Sequence, residues 1–214
     1  MLIPGFMAGD PSLRVLSGWL SRRGARTSGA GMLINIDCNE RAVGRIEARL
    51  QRLAEETGQP VVLIGQSRGG GLGRVAALRN PDMVSTLVML GTPVCDPLSI
   101  DALVLGAVRT VARLGDLGVP RMFSSDCAEG ECCESFREEL TAPLPDGVRT
   151  VSIYSRSDAI ASWQACLDPH AEHVEVESSH CGMSVNREVY RVLARILDGE
   201  DLASHSVSSP ARDR

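Results

Sequence analysis

The sequence predicts an α/β domain with a mostly parallel sheet of about six strands and helices on both of its faces. Three observations carry this. Short apolar runs alternate with segments of helical period along most of the 214 residues. The connections between them are short, as in βαβ units with right-handed crossovers. And Val61-Val62-Leu63-Ile64 is apolar without a break, as a strand must be when both faces of a parallel sheet are covered.

Met1–Pro4 begins as a strand, and Asp10-Pro11 reads as an N-cap and first helical position. Leu13, Leu16, Trp19 and Leu20 then recur at helical spacing until Gly24. Met32–Ile36 reads as the second strand, Glu40–Glu56 as a helix ended by Gly58 and Pro60, and Val61–Ile64 as the third strand. A helix over Arg68–Leu78 and a strand over Val84–Leu90 follow. Residues 97–147 interrupt the alternation with helices over Ile100–Leu114 and Glu134–Leu140, an insertion placed to cap a site at the end of the preceding strand. Alternation resumes with strand Thr150–Tyr154, helix Ala159–Cys166, strand Val174–Val176 and helix Asn186–Leu197. Residues 1–200 are thus expected to form one domain, and 201–214, rich in Ser, Ala and charge, a disordered tail.

Composition removes several classes of function. A net charge of −5 and only two Trp, two Tyr and three Phe argue against nucleic acid, which calls for a basic face and stacking platforms. No apolar run approaches the roughly 18 residues of a membrane span. All 22 basic residues are arginine, so an arginine is not functional merely by being one. The lack of lysine excludes Schiff-base chemistry and a Walker-type phosphate loop. Seven cysteines without paired C-x-x-C spacing predict no structural zinc; they read as free thiols, with a Cys127–Cys132 or Cys127–Cys133 bridge as the alternative. No secretory leader is visible, and the expected location is the cytoplasm.

The sharpest chemical signal is Gly65-Gln66-Ser67-Arg68-Gly69, set between the apolar strand and a helix. That context suits a tight strand-to-helix turn that lifts a serine hydroxyl above the sheet, with the helix N-terminus behind it favouring negative charge. A dinucleotide fingerprint, Gly71-x-Gly73-x-x-Ala76 with Asp96 beyond, competes poorly, because its first glycine should leave the strand directly. Of four histidines, His205 falls in the tail, and His170 and His173 lie at the approach to the last strand, on the wrong edge of the sheet. His180 follows that strand's C-terminal end, where open α/β sheets place their ligands. The acid should also follow a strand, which favours Asp158 over Asp96 and Asp168. Ser67, Asp158, His180 is then the chain order nucleophile, acid, base. Two backbone N–H groups should bind an oxyanion, that of Arg68 after the nucleophile and that of Phe6 in the Pro4-Gly5-Phe6-Met7 loop.

With these residues in place, the chain resembles the α/β-hydrolase superfamily, and most of all small bacterial triacylglycerol lipases and esterases. The similar segments are LIPGF, VVLIGQSRGG, NPDMVSTLVMLGTP, VRTVSIYSRSDAIAS and SSHCGM. The resemblance implies a minimal α/β-hydrolase fold. It also implies hydrolysis of a small ester or lipid through an acyl-enzyme, with Phe6 and Arg68 as oxyanion donors, Ser67 as nucleophile, Asp158 as orienting acid and His180 as base. No metal or organic cofactor is implied. Acyl transfer, thioester or amide cleavage on the same residues, or a non-catalytic binding protein of that fold, are the alternatives. The chain departs from the family at Pro4 and Gln66, each in place of a frequent His, and at Arg68 in place of Leu or Met. Arg68 puts a charge near the site, at odds with a purely apolar substrate. The first strand is short against the usual five or six residues, which points to a natural start upstream, and with it a secreted alternative, or to a frayed strand.

Overall fold

A computed structural model describes residues 1–200 and 202, with the backbone alone for 128, 129 and 131–133. The expected tail, His205 and the thiols of Cys132 and Cys133 lie outside the described residues. Five strands form one parallel sheet in sequential order: β1 (Leu2–Ile3), β2 (Val61–Gln66), β3 (Val84–Leu90), β4 (Arg149–Tyr154) and β5 (Glu172–Glu175). Alternation of side chains along the strands sends Leu2, Ile64, Val88, Leu90, Val151 and Ile153 to one face. There they meet Leu16 and Leu20 of α1 (Arg14–Arg22) and Val189, Leu193 and Ile196 of α7 (Arg187–Leu197). Ile3, Leu63, Leu87 and Met89 go to the other face, against Ile46 and Leu50 of α2 (Asn39–Thr57) and Leu72 and Val75 of α3 (Arg68–Arg79). Between β3 and β4 run α4 (Ala102–Asp116), α5 (Ser125–Glu129) and α6 (Glu131–Thr141). No helix among the described residues is long and apolar enough to cross a membrane.

The sheet has five strands rather than about six, because Met32–Ile36 is not one of them. β1 pairs with β2 at only Leu2↔Ile64 and Ile3↔Gly65, and Pro4 has no N–H to extend a ladder. Its outer edge is met by Ser28, whose carbonyl accepts from the Leu2 amide. Residues 32–36 instead bond to the loop beyond β1, through Asp10 N to Met32 O, Asn35 N to Ala8 O and Met7 N to Asn35 O. Leu33 is left 88% exposed, which a strand inside this sheet would not allow.

Two further expectations are corrected. Residues 159–166 form no α-helix, only a 3-10 turn over Gln164–Cys166. Asp158 Oδ1 takes the amides of Ile160 and Ala161, and the chain then pairs antiparallel with residues 99–101, through Asp101 N to Ile160 O and Ser162 N to Ser99 O. Those two amides would lack partners at the start of a helix too, and Asn186 holds the same pair at the start of α7. It is the pairing with residues 99–101, which takes the Ile160 carbonyl and the Ser162 amide, that leaves no helical ladder to form. Asp10 is not the N-cap either. Gly9 holds that position, and the Asp10 carboxylate instead accepts the Gly31 amide at 2.8 Å.

One polar tie runs through the apolar interior. Arg74, on the buried helix α3, is fully enclosed and forks onto Asp168, with Nε 2.7 Å from Oδ2 and Nη2 3.4 Å from Oδ1. Its Nη1 donates to the Ala142 carbonyl just past α6 at 2.8 Å. Removing one partner of such a pair strands a charge without water. Asp168→Asn or Arg74→Leu should therefore cost about 3–5 kcal/mol of stability, while replacing both by apolar residues should recover much of the loss; urea unfolding of the three variants measures it.

Candidate active site

The sequence around Ser67 forces an abrupt turn. Ser67 stands between β2 and α3 at φ 51°, ψ −126°, a backbone conformation that serine rarely adopts. Tertiary bonds hold it there. Its amide donates to Leu90 O at 2.8 Å, and its carbonyl accepts from Gly70 N at 2.9 Å and Thr92 Oγ1 at 3.0 Å. A side chain at Gly69 would lie 2.4 Å from the Ile3 carbonyl oxygen and 2.5 Å from that of Pro4, so the turn and the end of β1 touch through bare backbone.

Asp158 and His180 meet. Asp158 Oδ2 lies 2.6 Å from His180 Nδ1, in a pair whose side chains are 2% and 8% exposed. The bonds from Ile160 and Ala161 to the other carboxylate oxygen fix the acid's orientation. The loops after β4 and β5 that carry the two residues are joined by the buried Ser155, whose Oγ accepts the amides of Ser157 and Ser178, each at 3.1 Å. Gln66 Nε2 donates to the His180 carbonyl at 3.1 Å and ties His180 to the strand that leads into Ser67. No hydrogen bond joins Ser67 to the imidazole among the described residues. Asp96 is exposed and caps its own turn through Leu98 N, and Asp168 is committed to Arg74, so neither is the partner of His180. His170 and His173 are exposed and stand beside Asp168.

Phe6 and Arg68 line the same cavity as Ser67. The Arg68 N–H opens helix α3, where no preceding turn exists to accept it. The Gly5 Cα hydrogens point at Gln66 O and Ser67 Cβ, a position where a methyl would sit 3.4 Å away, so the loop carrying Phe6 packs on the turn. Among the described residues, no protein group takes up the N–H of either Phe6 or Arg68.

Phe6, Ser67 and Arg68 face a cavity of about 140 Å³ whose wall also includes Phe123, Phe136 and Leu140. The wall is mainly apolar, and Leu98, Ile100, Val104 and Val108 from the segment between β3 and β4 complete it. The Arg68 guanidinium is not offered to this space as a bare charge. It is bonded to Asn35 Oδ1, to the Asp37 carbonyl at 2.6 Å and to Asn39 Oδ1 at 2.7 Å, and it stacks 5.6 Å from the Phe123 ring centre. Loss of water lowers its pKa to about 10.

Sequence reasoning missed Asn35, Ser155 and Gly91. Nothing local marks the first two, since each acts on chain distant in sequence. Gly91 carried a signal in the Gly91-Thr92-Pro93 turn that closes β3. Its φ is +57°, and a side chain there would lie 3.2 Å from both Asp158 Oδ2 and His180 Nδ1.

This is the fold of the α/β-hydrolases. Similar solved structures include Bacillus licheniformis lipase BlEst2 in its mature form, with TM-score 0.70 and 13% identity over 92% of this chain and 90% of that one. They also include a Paleococcus ferrophilus monoacylglycerol lipase (0.61, 13%, 92% and 91%) and the thioesterase domain of the curacin biosynthetic pathway (0.57, 14%, 92% and 89%). No protein-family model matches the chain, and no curated protein matches it in sequence.

Gly91→Ala should cost about 1–3 kcal/mol through its positive φ and the crowded pair. It should also displace or erase the low-field proton signal of the His180–Asp158 bond in NMR, whereas Gly44→Ala, with open space at that position, should do neither.

Proposed function

We propose that this protein is a serine hydrolase that cleaves carboxylic esters through an acyl-enzyme. The observation that carries the reading is the buried Asp158–His180 pair, delivered by the loops after β4 and β5 to the edge of the sheet where Ser67 stands on its strained turn. His180 Nε2 takes the Ser67 proton as Oγ attacks the ester carbonyl. The oxyanion that forms is bound by the Phe6 and Arg68 amides, and His180 then passes the proton to the departing alcohol. Water, deprotonated by the same imidazole, releases the acid. Asp158 holds the Nδ1–H tautomer and stabilises the imidazolium. The missing Ser67–His180 bond is the leg that tightens when substrate fills the site, as such bonds commonly do.

The apolar wall supports an apolar acyl group. An enclosed space of about 150 Å³ accommodates a benzene ring, so this cavity suits acyl chains of roughly four to six carbons. A series of p-nitrophenyl esters should give the highest kcat/KM in that range.

A fluorophosphonate probe should label the folded protein and fail on Ser67→Ala. Labelling that survives the substitution would overturn the reading. Asp158→Asn should lose about 10³–10⁴-fold in kcat, as loss of a triad member does, while Asp96→Asn should stay near wild type.

A further inference from the structure

The loop that holds Phe6 cannot keep its shape by itself. Met7 has φ +57° without being glycine, a conformation that persists only when the surroundings impose it. The imposing residue is Asn35, which is 1% exposed. Its side chain donates to Pro4 O at 2.8 Å, its amide to Ala8 O at 2.8 Å, and its carbonyl accepts the Met7 amide at 3.2 Å. Three of its four polar groups therefore grip residues 4–8, on both sides of Phe6. The fourth, Oδ1, accepts from Arg68 Nη1. That bond fixes which way the Asn35 amide faces, because the oxygen toward the guanidinium puts the nitrogen toward Pro4.

Arg68 is held in turn by the Asp37 carbonyl and Asn39 Oδ1, and by its contact with the Phe123 ring. Phe123 sits 6.1 Å from the Phe6 ring, centre to centre, and its amide donates to Ile36 O at 2.9 Å. The acceptors spread around a planar fork, a pattern guanidinium satisfies and an ammonium does not. Among the described residues no carboxylate lies within 4 Å of it: Asp37 turns its own toward Arg41 and Arg45. No ion pair holds this half-buried cation in place; the hydrogen bonds of its guanidinium do.

We infer that the Arg68 side chain is a positioning residue for the oxyanion site: acting through Asn35, it sets the Phe6 amide opposite the amide that Arg68 itself contributes. This rests on the ester-hydrolase reading. One residue would then supply one donor directly and align the other, so that the two halves of the oxyanion site are fixed relative to each other rather than each to the scaffold.

The test compares wild type, Arg68→Gln, Arg68→Lys, Asn35→Ala and the Arg68→Gln/Asn35→Ala double variant with p-nitrophenyl butyrate, and follows amide hydrogen exchange at Met7, Ala8 and Asn35. A misplaced donor weakens transition-state binding more than substrate binding. Each single variant should lose about 10–100-fold in kcat, since a displacement of about 1 Å costs that order, with KM within about threefold. Exchange in the 4–8 loop should quicken while that of α2 stays unchanged. The double variant should be little worse than the worse single one, because both act along one path. Wild-type kcat in Arg68→Lys would mean that charge alone matters and would overturn the inference, as would multiplicative losses or unaltered loop exchange. Should the wild type fail to turn over, the hydrolase reading falls, and the exchange data alone then decide whether the clamp exists.

Discussion

The geometry of the whole site depends on one constraint, the close approach of three backbones around Ser67. The turn leaves β2 so sharply that α3 begins against the carbonyls of Ile3 and Pro4, with no room for a side chain at Gly69. The same approach lets Leu90 at the end of β3 take the Ser67 amide and Thr92 reach the Ser67 carbonyl. A residue at φ 51° carries strain of order 1–3 kcal/mol, and these bonds are what offset it. Once they are made, the end of β1 has no freedom to lie elsewhere. The loop that follows must pack on the serine turn through Gly5, which brings Phe6 into the wall of the same cavity.

Two arginines, Arg68 half-buried and Arg74 fully buried, then fasten the surroundings to this turn, and both sit on α3. Arg68 reaches outward to Asn35 and the loop after β1. Arg74, further along the helix, reaches Asp168 before β5 and the carbonyl of Ala142 after α6. In a chain whose every cation is arginine, residue type alone carried no information about either one. What distinguishes them is that each guanidinium is held by several acceptors from distant parts of the chain, Asn35, Asp37 and Asn39 for Arg68 and Asp168 and Ala142 for Arg74. The stability of these contacts is conditional: intact, they rigidify, but losing a single partner exposes an unmet charge to the low dielectric of the core.

This explains which features were legible in the sequence. β2, β3 and β4 announce themselves as apolar runs because both their faces are covered, and the helices α2, α3 and α7 by their period. The Gly65–Gly69 turn was readable because its steric requirement is local. Met32–Ile36 has the same apolar look as a strand, yet β1 offers no edge long enough to pair with it, and that depends on a partner thirty residues away. Residues 159–166 read as helix because nothing local reveals that they will pair with residues 99–101, about sixty positions earlier in the chain. His180 and Asp158 were reachable through topology, since both follow strands on the carboxyl edge. Asn35 and Ser155 were not, because each acts by joining loops that meet only in the folded chain.

A division of labour follows from where these groups sit. Ser67, Asp158 and His180 are carried past the ends of β2, β4 and β5; Ser67 is tied to the backbone of β3 at Leu90, and the Gln66 side chain ties His180 to β2. The apolar wall is built largely by the segment between β3 and β4, which meets α3 through Arg74 and through Arg79 bonded to Glu139. Substitutions at Val104, Val108 or Phe136 would change the space next to Ser67 without touching any atom bonded to Asp158 or His180. The shape of the cavity and the bonding of the Asp158–His180 pair are therefore set by different parts of the chain. They meet only at α3, whose first residues form the turn and whose middle anchors the wall. A change in the core of α3 is the one kind that should disturb both at once, because the helix transmits displacement of the wall directly to the turn that holds the serine.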